Sequence, residues 1–347
     1  MTPQPAPRYD DSGVSLARAE TATVLAREAA ATHDRRGVIE SIGGFAALFD
    51  LAAAGWQDPL LVAACDGVGS KLELAQRAAA PAAHEAVGRD LVAMCVNDLA
   101  CRGAAPLFFL DYIAAAVIDA PRQKALLAGV ASACAEADCA LVGGETAELP
   151  GLYAPRGYDL AGFAVGAVER DRLLPRAAEI RAGQPLYALP ATGIHANGFS
   201  LVRKILRDRN IDINAAAPFD ESRSLINALL EPTPILARDL RHLAAAEVIL
   251  AAAHITGGGV IGNLPRVLPD DIAAEIETAR VPRPAVFSWL QKAGDITEDE
   301  MWRVFNCGLA AVVVCADEKR ARDLPGSAFR VGTLTARDGD APRVRII

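Results

Sequence analysis

The chain has 347 residues, 52% of them hydrophobic, and a formal net charge of −8. Such a length suits two domains better than one, and the acidic balance argues against a nucleic-acid surface, which needs concentrated Lys and Arg. Seven cysteines (65, 95, 101, 134, 139, 307 and 315), none in a C-x-x-C pair, cannot fill a disulfide framework and read as reduced thiols of a cytoplasmic protein. Residues 1–8 lack the charged start and apolar core of a leader, and no run is long and apolar enough to span a membrane, so a soluble protein without a membrane partner is expected.

In chain order, residues 14–31 are Ala-rich and predict a helix by propensity, followed by a loop around Gly43 and Gly44. The apolar run 60–65, bounded by Pro59, predicts a buried strand that ends at Asp66-Gly67. Over 84–101, Val87, Leu91, Met94, Cys95 and Leu99 recur at helical spacing until Arg102-Gly103 and Pro106 stop the pattern, which puts Asp98 in the last turn. Strand at 107–117, helix at 122–137, and strands at 139–142 and 160–168 complete an α/β pattern whose strand order stays open. Charges, Pro175 and Gly183 break the apolar segments between Glu169 and Pro185, giving expected domains 1–170 and 171–347. In the second, strands are predicted at 186–189, 248–252, 309–315 and 329–334, and helices at 200–209 and 233–243.

Asp66-Gly67-Val68-Gly69-Ser70-Lys71 puts two glycines, a hydroxyl, a carboxylate and an ammonium directly after a buried strand. Glycines allow close backbone approach, successive N–H groups can cradle an anion, and Lys71 can neutralise charge. The segment is no P-loop, and a tight turn with an exposed lysine is the bland alternative. Asp98, Asp111 and Glu145 (in Gly143-Gly144-Glu145-Thr146) stand at expected element ends or, for Asp111, interrupt an apolar strand where an unpaired charge is costly. Magnesium favours hard oxygen ligands and bridges carboxylates to nucleotide phosphates, so Asp66, Asp98 and Glu145 suggest an ATP-magnesium site. The bland reading makes Asp98 a helix-surface charge and Glu145 a first-turn residue favoured by the helix dipole. Downstream, His195, Asn197 and Ser200 lie in a glycine-flanked loop before a helix, a reasonable substrate site or an ordinary capped loop. Thr256-Gly257-Gly258-Gly259 offers another backbone anion site, and its G-x-G-x-x-G spacing with Glu275 and Glu277 beyond also admits a nicotinamide oxidoreductase.

In combination these motifs resemble one family. Asp66 to Gly69, DLVAMCVNDL at 90–99, PLFFLDY at 106–112 and LVGGETAELPG at 141–151, then HANG at 195–198, SLVRKIL at 200–206, HITGGG at 254–259 and FNCG at 305–308, are similar to phosphoribosylformylglycinamidine cyclo-ligases, the aminoimidazole ribonucleotide synthetases. The likeness runs from Tyr9 to about Val331. Ser70 stands where the family often has threonine, Ala46 where a glycine is frequent, and Arg27 where a lysine is familiar.

The resemblance implies a two-domain α/β (α+β) synthetase-like fold, a homodimer joined through the N-terminal sheets, and ATP-dependent closure of formylglycinamidine ribonucleotide to aminoimidazole ribonucleotide. On that reading Asp66, Asp98 and Glu145 hold Mg2+ and phosphates, with K+ as a further candidate cation. Gly43, Gly44, Gly67, Val68, Gly69, Ser70, Lys71, Asp111, Gly143, Gly144 and Thr146 complete the nucleotide site, with Lys71 stabilising charge during transfer. His195, Asn197, Ser200, Thr256, Gly257, Gly258 and Gly259 hold the ribonucleotide, His195 assisting proton transfer. Rivals are thiamine-monophosphate kinase, selenophosphate synthetase and the hydrogenase maturation dehydratase of the same fold, two of which ask for a sulfur or selenium residue at a chain end. A non-catalytic nucleotide-binding regulator is the remaining rival.

Overall fold

Residues 9–33, 35–78 and 80–347 are described by the computed structural model; the reading of residues 1–8 as free of a leader lies outside them. Ser15 accepts the Arg18 N–H and opens α1 (Leu16–Ala30). A ribbon of β1 (Val38–Glu40) and β2 (Leu48–Phe49) flanks the Gly43-Gly44 loop. The first sheet then forms from β3 (Pro59–Gly67), β4 (Ala105–Ala115), β5 (Ala140–Glu148) and β6 (Tyr158–Glu169), in the order β3-β6-β4-β5. Only β4 and β5 run parallel; the other neighbours are antiparallel. Helices α2 (Lys71–Arg77), α3 (Pro81–Ala100) and α4 (Ala120–Glu136) interleave with these strands, and α3 packs on α4 and across β3, β6 and β4. Helices thus bury one face of the sheet. The other face leaves Leu61 62% and Phe163 43% exposed.

The second unit holds β7 (Pro185–Pro190), α5 (Phe199–Asp208), a ribbon of β8 (Ala216–Ala217) and β9 (Asp220–Ser224), α6 (Leu225–Leu229), α7 (Ala237–Ala245), β10 (Ile249–His254), α8 (Gly259–Asn263), β11 (Ile272–Ile276), α9 (Ala285–Gly294), α10 (Glu298–Val304), β12 (Leu309–Cys315), β13 (Phe329–Ala336) and β14 (Val344–Ile346). Its sheet order is β10-β12-β7-β13-β11-β14, antiparallel except for β11 with β14. The fully apolar β12 is buried along its whole length, as an interior strand between two neighbours must be.

Two expectations change. Residues 143–148 continue β5 instead of forming a strand-to-helix loop, so Glu145 is a mid-strand residue; β5 lies at a sheet edge, where a polar side chain keeps its water. Residues 233–236 are not helical, because Pro232 and Pro234 bias the residues before them to extended backbone, and α7 begins only at Ala237. No helix among the described residues is long and apolar enough to cross a membrane.

Candidate active site

The end of β3 and the start of α5 meet across the two units. Loop 66–70 leaves β3 with Gly69 in the left-handed region (φ 68°), while Gly198, at φ 84°, caps α5 with its Cα against the Phe305 ring. The Ser70 and Ser200 hydroxyls stand 3.0 Å apart and bridge the two sides. Between them opens a cleft of about 850 Å³ lined by Asp66, Gly67, Val68, Gly69, Ser70, Met94, Asp159 and Leu160 on one side, and by residues 196–201, Gly257, Gly258, Glu300, Arg303 and Val304 on the other. Asn197 reaches both walls, its amide 3.8 Å from Met94 Sδ and its oxygen beside Gly257. The cleft therefore unites Asp66, Gly67, Val68, Gly69, Ser70, Asn197, Ser200, Gly257 and Gly258.

Asp98 emerges from the last turn of α3 toward a neighbouring cavity of about 310 Å³, where its Oδ1 lies 3.0 Å from His254 Nδ1. His254 is buried at the end of β10, so the pair joins the two units. Asp66 feels both groups. Burial, aided by repulsion from Asp98, raises its pKa above the ordinary carboxylate value, against the Gly67 N–H bond and the His254 imidazole.

Glu145 does not join them. Cross-strand pairing puts Asp66, Gly162, Asp111 and Gly144 in one row and Gly67, Ala161, Tyr112 and Glu145 in the next. Adjacent rows point to opposite faces, and β3 and β5 lie three strand spacings apart, roughly 14 Å. Among the described residues no three His, Cys, Asp or Glu side chains gather in a group that could hold a metal ion. One ion shared by Asp66, Asp98 and Glu145 of a single chain is therefore excluded by the sheet, and the two aspartates remain. Gly143 and Thr146 share β5 with Glu145, the Thr146 hydroxyl accepting from Gln123, and Gly43 and Gly44 sit exposed beside Arg27 and Glu40. None of these residues lines the cleft.

Asp111 faces the helices, buried in the space that Gly144 leaves beside it. Burial pushes its carboxyl up to about 7, with Glu145 adding repulsion. A folded pKa above the unfolded one stabilises fully below the unfolded value, and that contribution is lost as pH rises through about 7. Asp111→Asn, which keeps the shape of the neutral acid, should raise Tm by about 2–6 °C at pH 8 and by much less at pH 5; equal shifts at both would contradict the burial account.

Two further residues sit behind the cleft wall. His195, with φ 66°, is buried and accepts the Thr192 N–H at Nε2 (3.3 Å), while burial, then His254 and Lys71, hold its pKa well below the ordinary value. It is a neutral imidazole bracing its own loop, whose Gly193 and Ile194 carbonyls are held by the Asn306 amide. Lys71 is wholly buried, its Nζ 2.6 Å from Asp90 Oδ2, and does not reach the cleft; this corrects its expected place beside phosphate. Thr256 and Gly259 form the base of the Gly257-Gly258 rim, where the Asn263 amide donates to the Gly257 and Gly259 carbonyls. Sequence reasoning assigned no role to His254 and passed over Asp90, Asp159, Glu300 and Arg303. A histidine closing an apolar strand is the signal that was there to find the first.

A family model described as the N-terminal domain of AIR synthase related proteins matches residues 44–168, and its C-terminal counterpart matches 181–345. The trifunctional purine biosynthetic protein adenosine-3 of Homo sapiens is 44% identical over 347 residues, covering 97% of this chain and 34% of that protein. The chain thus spans about a third of that curated relative's length. Among solved structures, thiamine-monophosphate kinase from Stenotrophomonas maltophilia superposes with a TM-score of 0.67 at 20% identity over 94% of this chain and 95% of that one. The hydrogenase maturation protein HypE in complex with ATP gives 0.61 at 16%, covering 87% and 84%. These two share the fold. With both domains matched in order and the human relative aligned nearly end to end, the chain belongs to the AIR synthase related family.

Proposed function

We propose that this chain closes the imidazole ring of a purine precursor, converting formylglycinamidine ribonucleotide and ATP to aminoimidazole ribonucleotide, ADP and phosphate. The observation that carries the reading is the two-sided cleft, in which the Asp66 loop of the first unit faces Asn197, Ser200 and the Gly257-Gly258 rim of the second. The human relative's name places it in purine biosynthesis, and HypE, of the same fold, holds ATP.

An amide oxygen is a poor leaving group. Transfer of the γ-phosphoryl group to the formyl oxygen, with ADP leaving, gives an imidoyl phosphate; the amidine nitrogen then attacks that carbon, the C–O bond breaks and phosphate departs. Asp66 and Asp98 are hard oxygen donors of the kind Mg2+ takes one or two of while keeping water, and the ion, when bound, offsets phosphate charge. Glycine-rich loop 67–70 brings backbone to the nucleotide, and the second wall orients the ribonucleotide. With Asp98 accepting from His254 Nδ1, the imidazole holds the Asp98 carboxylate in place near Asp66. In this reading residues 1–170 carry ATP and residues 171–347 complete the substrate site.

The protein works as a cytoplasmic homodimer joined through the open face of the first sheet. Leu61, Phe163 and the neighbouring Leu110 make that face apolar, and a monomer would leave it in water. Phe163→Glu should halve the particle mass measured by light scattering at micromolar protein; an unchanged mass would remove the sheet face from the interface.

The deciding experiment supplies purified protein with ATP, Mg2+ and formylglycinamidine ribonucleotide and scores ADP and aminoimidazole ribonucleotide together. Equal yields establish the reading, and exchanging KCl for NaCl in the same assay tests for a K+ requirement. ADP formed without ring product, or with thiamine monophosphate as acceptor, would move the protein to a kinase-like activity.

A further inference from the structure

The cleft loop turns into α2 at Lys71, and there the side chain leaves the solvent altogether. Its Nζ pairs with Asp90 Oδ2 on α3 at 2.6 Å, donates to the Glu231 carbonyl at 2.8 Å, and stands 5.5 Å from the centre of the Phe199 ring on α5. Asp90 spends its other oxygen on the second unit, accepting the Thr233 N–H (2.8 Å) and hydroxyl (2.7 Å). Two turns further along the same face of α3, Asn97 accepts the Leu236 N–H at 2.7 Å and donates to the Pro234 carbonyl at 3.0 Å. Asp98, the next residue, reaches His254.

Segment 231–236 reads Glu-Pro-Thr-Pro-Ile-Leu. Its prolines fix their own φ and carry no N–H, which makes the segment stiff and leaves few backbone donors, two of which α3 takes. From its other side the Thr192 hydroxyl donates to the Pro232 carbonyl, while the Thr192 N–H donates to His195 Nε2. A continuous polar chain therefore runs from the residue after the nucleotide loop, through the second unit's proline segment, to the loop that forms the opposite wall. A buried ion pair is weak evidence for stability, since apolar residues of like volume often serve as well; what apolar residues cannot do is choose which carbonyl and which N–H they meet.

We infer that Lys71, Asp90 and Thr233 form a buried clasp that sets the second wall of the cleft, with its His195 loop, in register with the Asp66 loop. They are positioning residues, and Lys71 acts through the Glu231 carbonyl, not on a phosphate. The kinetic part of this inference rests on the cyclo-ligase reading above.

The test replaces both charges at once, Lys71→Met with Asp90→Leu, because either change alone strands a buried charge. The double variant should fold with Tm close to that of the parent, lose about 30-fold or more in kcat, and keep its KM for ATP within about threefold. Hydrogen exchange should quicken at amides 192–197 and 231–236. A kcat within about threefold of the parent overturns the clasp, as does an ATP KM raised about tenfold or more with unchanged exchange, the mark of a phosphate ligand. Should the double variant not fold, Thr233→Val removes only the hydroxyl bond and should cost about three- to tenfold in kcat, restored by Thr233→Ser; unchanged turnover in Thr233→Val overturns the proposal. Failure of the parent enzyme to make ring product would instead defeat the functional reading, and the exchange comparison would still decide the clasp.

Discussion

Asp66→Asn should lower kcat by about a thousandfold while leaving Tm unchanged or slightly raised. The carboxylate ends β3 at the cleft and, on the proposed reading, is one of the two that would hold Mg2+ against phosphate charge; asparagine fills its volume and can still accept the Gly67 N–H. What it loses is the negative charge. Folding already raises the Asp66 pKa, through burial and then Asp98, so this group contributes most stability below its unfolded pKa, and that contribution is lost as pH rises through the folded value. Near neutrality the neutral variant therefore has nothing to lose in stability. The same shift fixes the acid side of the rate profile: kcat/KM of the parent should fall at a pH above the ordinary aspartate range, and that limb should be missing from the residual activity of Asp66→Asn. Turnover within about tenfold of the parent in a folded variant would remove Asp66 from the reacting centre.

Some of this site is open to a reader of the sequence because local patterns decide it. An apolar run stopped by Asp-Gly must end where Asp66 does, and the recurrence of Val87, Leu91, Met94 and Leu99 places Asp98 in the last turn of α3. Lys71 is different. Its neighbours promise an exposed cation, yet its direction is decided by Asp90, 19 residues away, and by a carbonyl 160 residues away. The signal was present on α3, where Asp90 and Asn97, seven residues apart, share the stripe of Val87, Leu91 and Met94 and so must be buried and bonded. Glu145 misleads for another reason: its Gly-Gly-Glu-Thr setting has the composition of a turn, and only the pairing of β5 with β4 keeps the chain extended through it. Strand order is likewise set by contacts between distant segments, which is why β6 comes to lie between β3 and β4 without any local mark of it.

Gly259→Ala carries the largest expected cost to stability. Gly259 opens α8 at φ 59°, where an L residue is strained by about 1–2 kcal/mol, and a Cβ there would overlap the Trp302 carbonyl oxygen and press on that of Phe305. Both obstacles are backbone, so they cannot swing away, and overpacking adds about 1–3 kcal/mol. A loss of about 2–5 kcal/mol is the expected sum, measurable as a lower denaturation midpoint with an unchanged slope. Gly257→Ala, two residues earlier, is the control, since its Cβ would meet only the Asn197 side-chain oxygen, at 3.3 Å. That variant should keep its stability to within about 1 kcal/mol and lose about tenfold in kcat/KM for the ribonucleotide, because the atom it crowds lines the cleft wall that the proposed function assigns to that substrate. Equal stability for the two alanine variants would show that α8 and α10 do not hold the approach seen here, and the wall they carry would then owe its position to other contacts.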